Sequence, residues 1–157
     1  MSEPSTAQSK ELQMALSFFH QIPFNRHLGL EPTLLSEERC EFRMRMKDEL
    51  IGNWVRGILH GGAISTALDV TGGAMAFISS WRRMEEKNIP MAERQRIMAR
   101  MGTIDMRVDF LKPGIGQEFI ASAALLRVGS KVAVTRMELH NEAGVLIAAG
   151  TATYLCG

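Results

Sequence analysis

Cysteine is scarce in this chain. Cys40 and Cys156 are the only two in 157 residues, too few for a disulfide framework, and neither stands in a CxxC or Cys/His ligand spacing. That excludes a stapled miniature fold and a zinc module, and it fits a reducing compartment such as the cytoplasm. An excess of charge of one sign is missing too. The formal net charge is +1, so no bulk attraction points to nucleic acid or to an acidic partner. The first ten residues are polar, without the basic segment and apolar stretch of a secretory leader. No uninterrupted apolar run reaches the ~18 residues expected of a membrane span. His20, His27 and His140 are scattered without metal-ligand spacing and read as structural.

What is present is an ordinary globular balance, 46% apolar and 22% charged, in a chain long enough to bury one core. Residues 1–10 read as a disordered lead and 11–157 as a single domain. Residues 11–20 carry Leu12, Leu16, Phe18 and Phe19 and predict a short helix that Pro23 ends. Two strands follow, over 28–35 and 39–46, turning at Glu37-Glu38. The second alternates cleanly, with Cys40, Phe42, Met44 and Met46 on one side and Glu41, Arg43, Arg45 and Lys47 on the other. Such alternation belongs to an antiparallel strand covered on one face. An irregular loop over 48–59 leads to residues 61–80, apolar nearly all round, with Asp69 as the one ionisable side chain. A helix of that composition is buried on most sides. Gly72 and Gly73 in its middle cost roughly 1 kcal/mol each against Ala, and close approach of another backbone would account for them.

Residues 81–101 shift to a charged, basic composition and read as a helical insertion. Asn88-Ile89-Pro90 resembles a capped helix start, and Met91, Arg94, Ile97, Met98 and Met101 mark one partly apolar face. Its arginines do not interleave with aromatics, which argues for a solvated face over nucleic-acid binding; contact with a phosphate-bearing ligand is the second reading. Four strand runs then follow, over 103–111, 118–127, 131–140 and 145–155. Pro113-Gly114, Gly129-Ser130 and 141–144 punctuate them, and connections that short predict antiparallel neighbours throughout. The whole is α+β: one antiparallel sheet wrapped around a long central helix.

The chemistry-bearing constellation lies where the loop becomes that helix. His60-Gly61-Gly62 occupies the helix N-terminus, whose first N–H groups lack internal partners and carry the positive end of the dipole. Glycine there lets a carbonyl approach the backbone, so the Gly61 amide is a natural oxyanion donor and Gly62 a close-approach position for substrate. Asp69 lies two turns further on. A carboxylate on an otherwise apolar helix is costly to bury and is suited to act as base or nucleophile. No GxSxG elbow is present, which argues against a serine hydrolase.

The stretch from Leu59-His60-Gly61-Gly62 to Leu68-Asp69 resembles the signature of the PaaI-like hotdog-fold thioesterases. Residues 23–30 resemble their opening strand, and 101–114 resemble the strand after their central helix. Gly52-Asn53-Trp54, Ala67-Leu68-Asp69-Val70, 131–134 and 138–142, with the charged insertion, are similar to the YigI branch of acyl-CoA thioesterases. The hotdog dehydratases carry an Asp-x-Asn-Pro-x-His run that is absent here. The resemblance implies hydrolysis of medium- to long-chain acyl-CoA with no cofactor or metal. Asp69 would be the catalytic acid, Gly61 the amide that polarises the carbonyl, and His60 the residue that positions the thioester. Thr103 would hold water, and Asn53 would orient water or substrate, though it lies one residue further from His60 than the commoner spacing. It also implies a homodimer or dimer of dimers, Asp69 and Thr103 of one subunit serving His60, Gly61 and Asn53 of the other. The rival readings are a non-catalytic acyl-CoA-binding hotdog module and a thioesterase for acyl-ACP or aryl-CoA.

Overall fold

The computed structural model describes residues 17–157, so the expected lead over 1–10 and most of the first predicted helix lie outside the described residues. Residues 17–21 are helical. That helix ends at Gln21, ahead of Pro23 as the sequence implied, but Pro23 does not lead into a strand. It opens a second short helix, α1 (Pro23–Leu28), as a first-turn proline, and Gly29 closes that helix in the left-handed region at φ 72°. The stretch expected to begin a strand at residue 28, and compared with an opening strand from residue 23, is therefore helical up to Leu28. Strand β1 is Leu30–Leu35 and β2 is Cys40–Arg45. Cys40, Phe42 and Met44 are buried and the residues between them face solvent, as the alternation predicted.

The loop over 48–59 is more ordered than its composition implied. A 3-10 turn (Asp48–Leu50) leads into a small hairpin of β3 (Ile51–Asn53) and β4 (Ile58–Leu59). The central helix α2 is Gly61–Glu86, six residues longer than its apolar pattern. The change to charged residues at 81 marks where the helix leaves the sheet, not where it stops. Asn88 ends the helical region with φ 53°, a left-handed conformation that asparagine tolerates. It does not cap the next helix: α3 (Met91–Met98) has Pro90 at its N-cap and no side-chain cap.

Strands β5 (Gly102–Phe110), β6 (Glu118–Val128), β7 (Val132–Asn141) and β8 (Leu146–Leu155) complete the chain. With β1 and β2 they form one antiparallel sheet in the order β1-β2-β6-β7-β8-β5. The tight turns join β6 to β7 and β7 to β8 as expected, but β5 and β6 are not neighbours. Residues 111–117 are a crossover along the end of the sheet. Leu111 and Lys112 donate to the Ile147 carbonyl, Leu59 donates to that of Gly114, and Met46 donates to that of Gln117. Glu142 accepts from the amides of Gln117 and Glu118. These bonds carry the chain past β8 and β7 to β2, and leave β5 pairing with β8 alone.

The sheet covers α2 with small residues against small residues. Ala67, Ala74 and Ala76 on the helix and Ala121, Ala133, Ala148 and Ala152 on the strands are all at most 1% exposed, packed among Phe42, Leu68, Met75, Phe119, Met137 and Leu139. An 18-residue window of α2 has a mean hydropathy of 1.2, enough by length and composition to cross a membrane, but more than half of it is buried within the protein, as befits a core helix. The other face of the sheet is polar. Arg43 and Glu31, register partners, pair across β1 and β2 at 2.9 Å.

Candidate active site

Two glycines, Gly52 and Gly62, fix His60 at the N-terminus of α2. His60 is the N-cap, and its Nδ1 accepts the amide hydrogen of Gly62 at 2.8 Å. A Cβ on Gly62 would sit 2.9 Å from that nitrogen. One on Gly52, in β3, would lie 2.7 Å from the His60 Cα, so glycine lets the hairpin lie against the histidine. The His60 amide donates to the Leu50 carbonyl at 2.7 Å, holding the entry to the helix. With Nδ1 engaged as acceptor, a neutral imidazole carries its proton on Nε2, and the exposed side chain presents it to solvent. Gly62 spends its amide on His60. The Gly61 N–H has no acceptor among the described residues and points from the positive end of a 26-residue helix. The ring of Phe110 lies at contact distance over Gly61, 3.4 Å from where a Cβ would be.

Asp69 is half-buried on the same helix. Thr103, on β5, donates from Oγ1 to its carboxylate at 2.8 Å, so two residues singled out from sequence meet in space. Tyr154, on β8, donates from Oη to the Asp69 main-chain carbonyl at 2.9 Å. Burial first, and then the Asp69 charge, push the Tyr154 hydroxyl well above the usual phenol range, so it remains a donor. Gly72 makes room for it. A Cβ there would be 2.4 Å from Tyr154 Oη and 2.3 Å from Met137 Sδ. Side chains of the sheet, not another backbone, thus explain this glycine, while Gly73 meets Tyr154 at an ordinary 3.5 Å. Tyr154 and Phe110 were absent from the sequence expectations. The available signals were a single tyrosine at an inward position of an apolar strand, which needs a partner for its hydroxyl, and a glycine in mid-helix to receive it.

Asn53 does not join this group. It is exposed at the end of β3, and its Oδ1 accepts from the Arg56 amide at 3.3 Å inside the hairpin turn. The loop half and the acid half of the site are also apart. Gly61 and Asp69 are eight residues apart on one helix, about 12 Å along its axis, too far to touch the same carbonyl group. No group of three His, Cys, Asp or Glu side chains able to hold a metal occurs among the described residues. In the charged region, Arg94 is engaged with Glu85 at 2.8 Å, with the Ile89 carbonyl, and over the Trp81 ring.

Comparison with known proteins gives this geometry a family. The model of the Thioesterase superfamily matches residues 56–148, from the β3–β4 turn into β8. The chain is 43% identical over the full length of both proteins to the medium/long-chain acyl-CoA thioesterase YigI of Escherichia coli K12. The same figures hold for its namesake in Salmonella typhimurium LT2. A crystal structure from Shewanella oneidensis, described as related to the thioesterase superfamily, superposes with a TM-score of 0.89 at 43% identity, covering 99% of this chain and 100% of that one. A thioesterase family protein from Silicibacter pomeroyi gives 0.71 at 26% identity, with 91% and 95% covered. The sheet wrapped on one long helix has its counterpart in these proteins, and the chain is a member of the thioesterase superfamily, with the hotdog fold.

Proposed function

We propose that the protein hydrolyses medium- to long-chain acyl-CoA to a free fatty acid and coenzyme A. The bond from Thr103 to Asp69 carries this reading. It holds one carboxylate oxygen and leaves the other for water or substrate. Asp69 serves as base on water or as nucleophile towards the thioester carbon. The Gly61 amide takes the developing oxyanion, and His60 Nε2 orients the thioester. The substrate class is supported by the printed name of the full-length relatives. It is also supported by the partly covered residues of α2 from Asp69 as far as Trp81, which are Val70, Gly73, Phe77 and Trp81, all without charge.

The reaction needs two copies of the chain. Gly61 and Asp69 of one subunit do not reach one thioester, so Asp69 and Thr103 act with His60, Gly61 and, at the rim, Asn53 of a partner. The outer edge of β5 is unpaired among the described residues and exposes Ile104 and Phe110, an edge suited to pairing with its own copy. Dimers, or dimers of dimers, follow. Two free, buried cysteines support a cytoplasmic site of action. The test is release of free thiol from acyl-CoAs of rising chain length by wild type and Asp69→Asn. Wild type that binds acyl-CoA and releases no thiol would sink the enzyme reading in favour of a binding module. Full activity in Asp69→Asn would sink the mechanism alone.

A further inference from the structure

Asp69 is held twice, by two residues that face each other across the sheet. Thr103 on β5 and Tyr154 on β8 are partners in the register. Thr103 binds the carboxylate and Tyr154 the main-chain carbonyl of the same residue. Among the described residues these are the only two hydrogen bonds between α2 and the sheet, and both end on Asp69. The Asp69 carbonyl already lies within the i to i+4 ladder of the helix. The tyrosine is therefore not needed to satisfy an orphaned group, and its bond is an extra one, aimed at the residue that bears the acid.

The strand and the helix both depart from regularity to make this grip. The β5–β8 register shifts between Thr103 and Asp105, leaving Ile104 outward and exposed. Counting the alternation back from Met106 would otherwise turn Ile104, not Thr103, towards the helix. A bulge re-aims a side chain in this way, and bulges gather beside active sites. On the helix side, Gly72 opens the notch that Tyr154 Oη fills, with Thr135 Oγ1 and Met137 Sδ around it. Tyr154 is 2% exposed and the sole tyrosine in the chain.

We propose that Tyr154 is a positioning residue for Asp69: through the notch at Gly72 it sets the height and rotation of the helix at which the carboxylate meets Thr103 and the thioester. The proposal rests on the reading of Asp69 as the reactive acid. That reading is tested separately by Asp69→Asn, whose undiminished activity would end both. With Asp69→Asn impaired, Tyr154→Phe decides the proposal, since it removes one oxygen and keeps the ring. The expected result is a fall in kcat of roughly tenfold per mole of folded protein, with KM within about twofold of wild type. Thr103→Ala and the double variant supply the second readout. Because both residues act on Asp69, the double loss should be smaller than the product of the single losses. An unchanged kcat per folded molecule with a lowered Tm would make the tyrosine a packing residue and overturn the proposal. Losses that multiply would overturn it as well.

Discussion

The two ends of the central helix carry opposite kinds of side chain and do opposite kinds of work. The C-terminal end, from Trp81 into α3, is dense in charge, yet its best-placed groups are occupied. Arg82 reaches Glu37, Glu85 and Glu86 within 4 Å, and Arg94 is spent on Glu85, Ile89 and Trp81. The N-terminal end has almost no charge. Its equipment is an unbonded amide at Gly61, a histidine fixed by its own helix, and one acid held by a threonine and a tyrosine. Density of ionisable residues marks a solvated surface here. The proposed reactive groups lie where few polar side chains are present, with the Gly61 amide left without an acceptor among the described residues.

Substitutions at the two ends should separate sharply, and the largest effect belongs to the acid. Asp69→Asn should lower kcat by about 10²- to 10⁴-fold with little change in Tm, measured by thiol release and calorimetry. A comparable loss of activity from Arg94→Met would break the contrast between the ends. Gly72→Ala should be the most destabilising small change at the reactive end. Its Cβ runs into Met137, Tyr154 and Thr135, at a cost of about 1–3 kcal/mol in urea melts. Glu85→Gln removes the charge from a partly buried ion pair and should cost about 1 kcal/mol, with kcat and KM unchanged.

The smallest effect concerns the crossover, whose Gly114 carbonyl holds Leu59 next to His60. Amides of Gln117 and Glu118 bind the Glu142 carboxylate and lower its pKa from the ordinary 4.5. A lowered folded pKa contributes stability that is present above the ordinary value and lost as pH falls through the lowered one. The Tm difference between wild type and Glu142→Gln should therefore be present at neutral pH and close in acid. A difference that persists unchanged at pH 3 would sever Glu142 from this role.

Residues with a single environment were legible in the sequence. The alternation of Cys40, Phe42 and Met44 gave β2 its faces, and the apolar run around Asp69 gave the central helix and the acid. The placement of His60 and Gly61 at the start of that helix was legible because the pattern changes there from loop to apolar run. What escaped depends on distant partners. The 111–117 segment looks like a turn, and only bonds to Ile147, Leu59 and Met46 make it a crossover. The helix continued past Ser80 because Trp81 and Met84 still pack while their neighbours are charged. Pro23 reads as a stop until a second helix is known to start there. Tyr154 escaped because its partner lies 85 residues away.

The crossover has a consequence for how the molecule is made. It sends β5 to the far edge of the sheet, where β8 is its one neighbour among the described residues. During synthesis β5 emerges some 36 residues before β8 begins, and meanwhile β1, β2, β6 and β7 have only one another and the helix to assemble with. Thr103 cannot take up its place beside Asp69 until β8 has been threaded between β7 and β5. Long-range pairings of this kind close late. A chain that holds His60, Gly61 and Asp69 but has not yet paired β5 with β8 thus lacks the strand that carries Thr103 to Asp69.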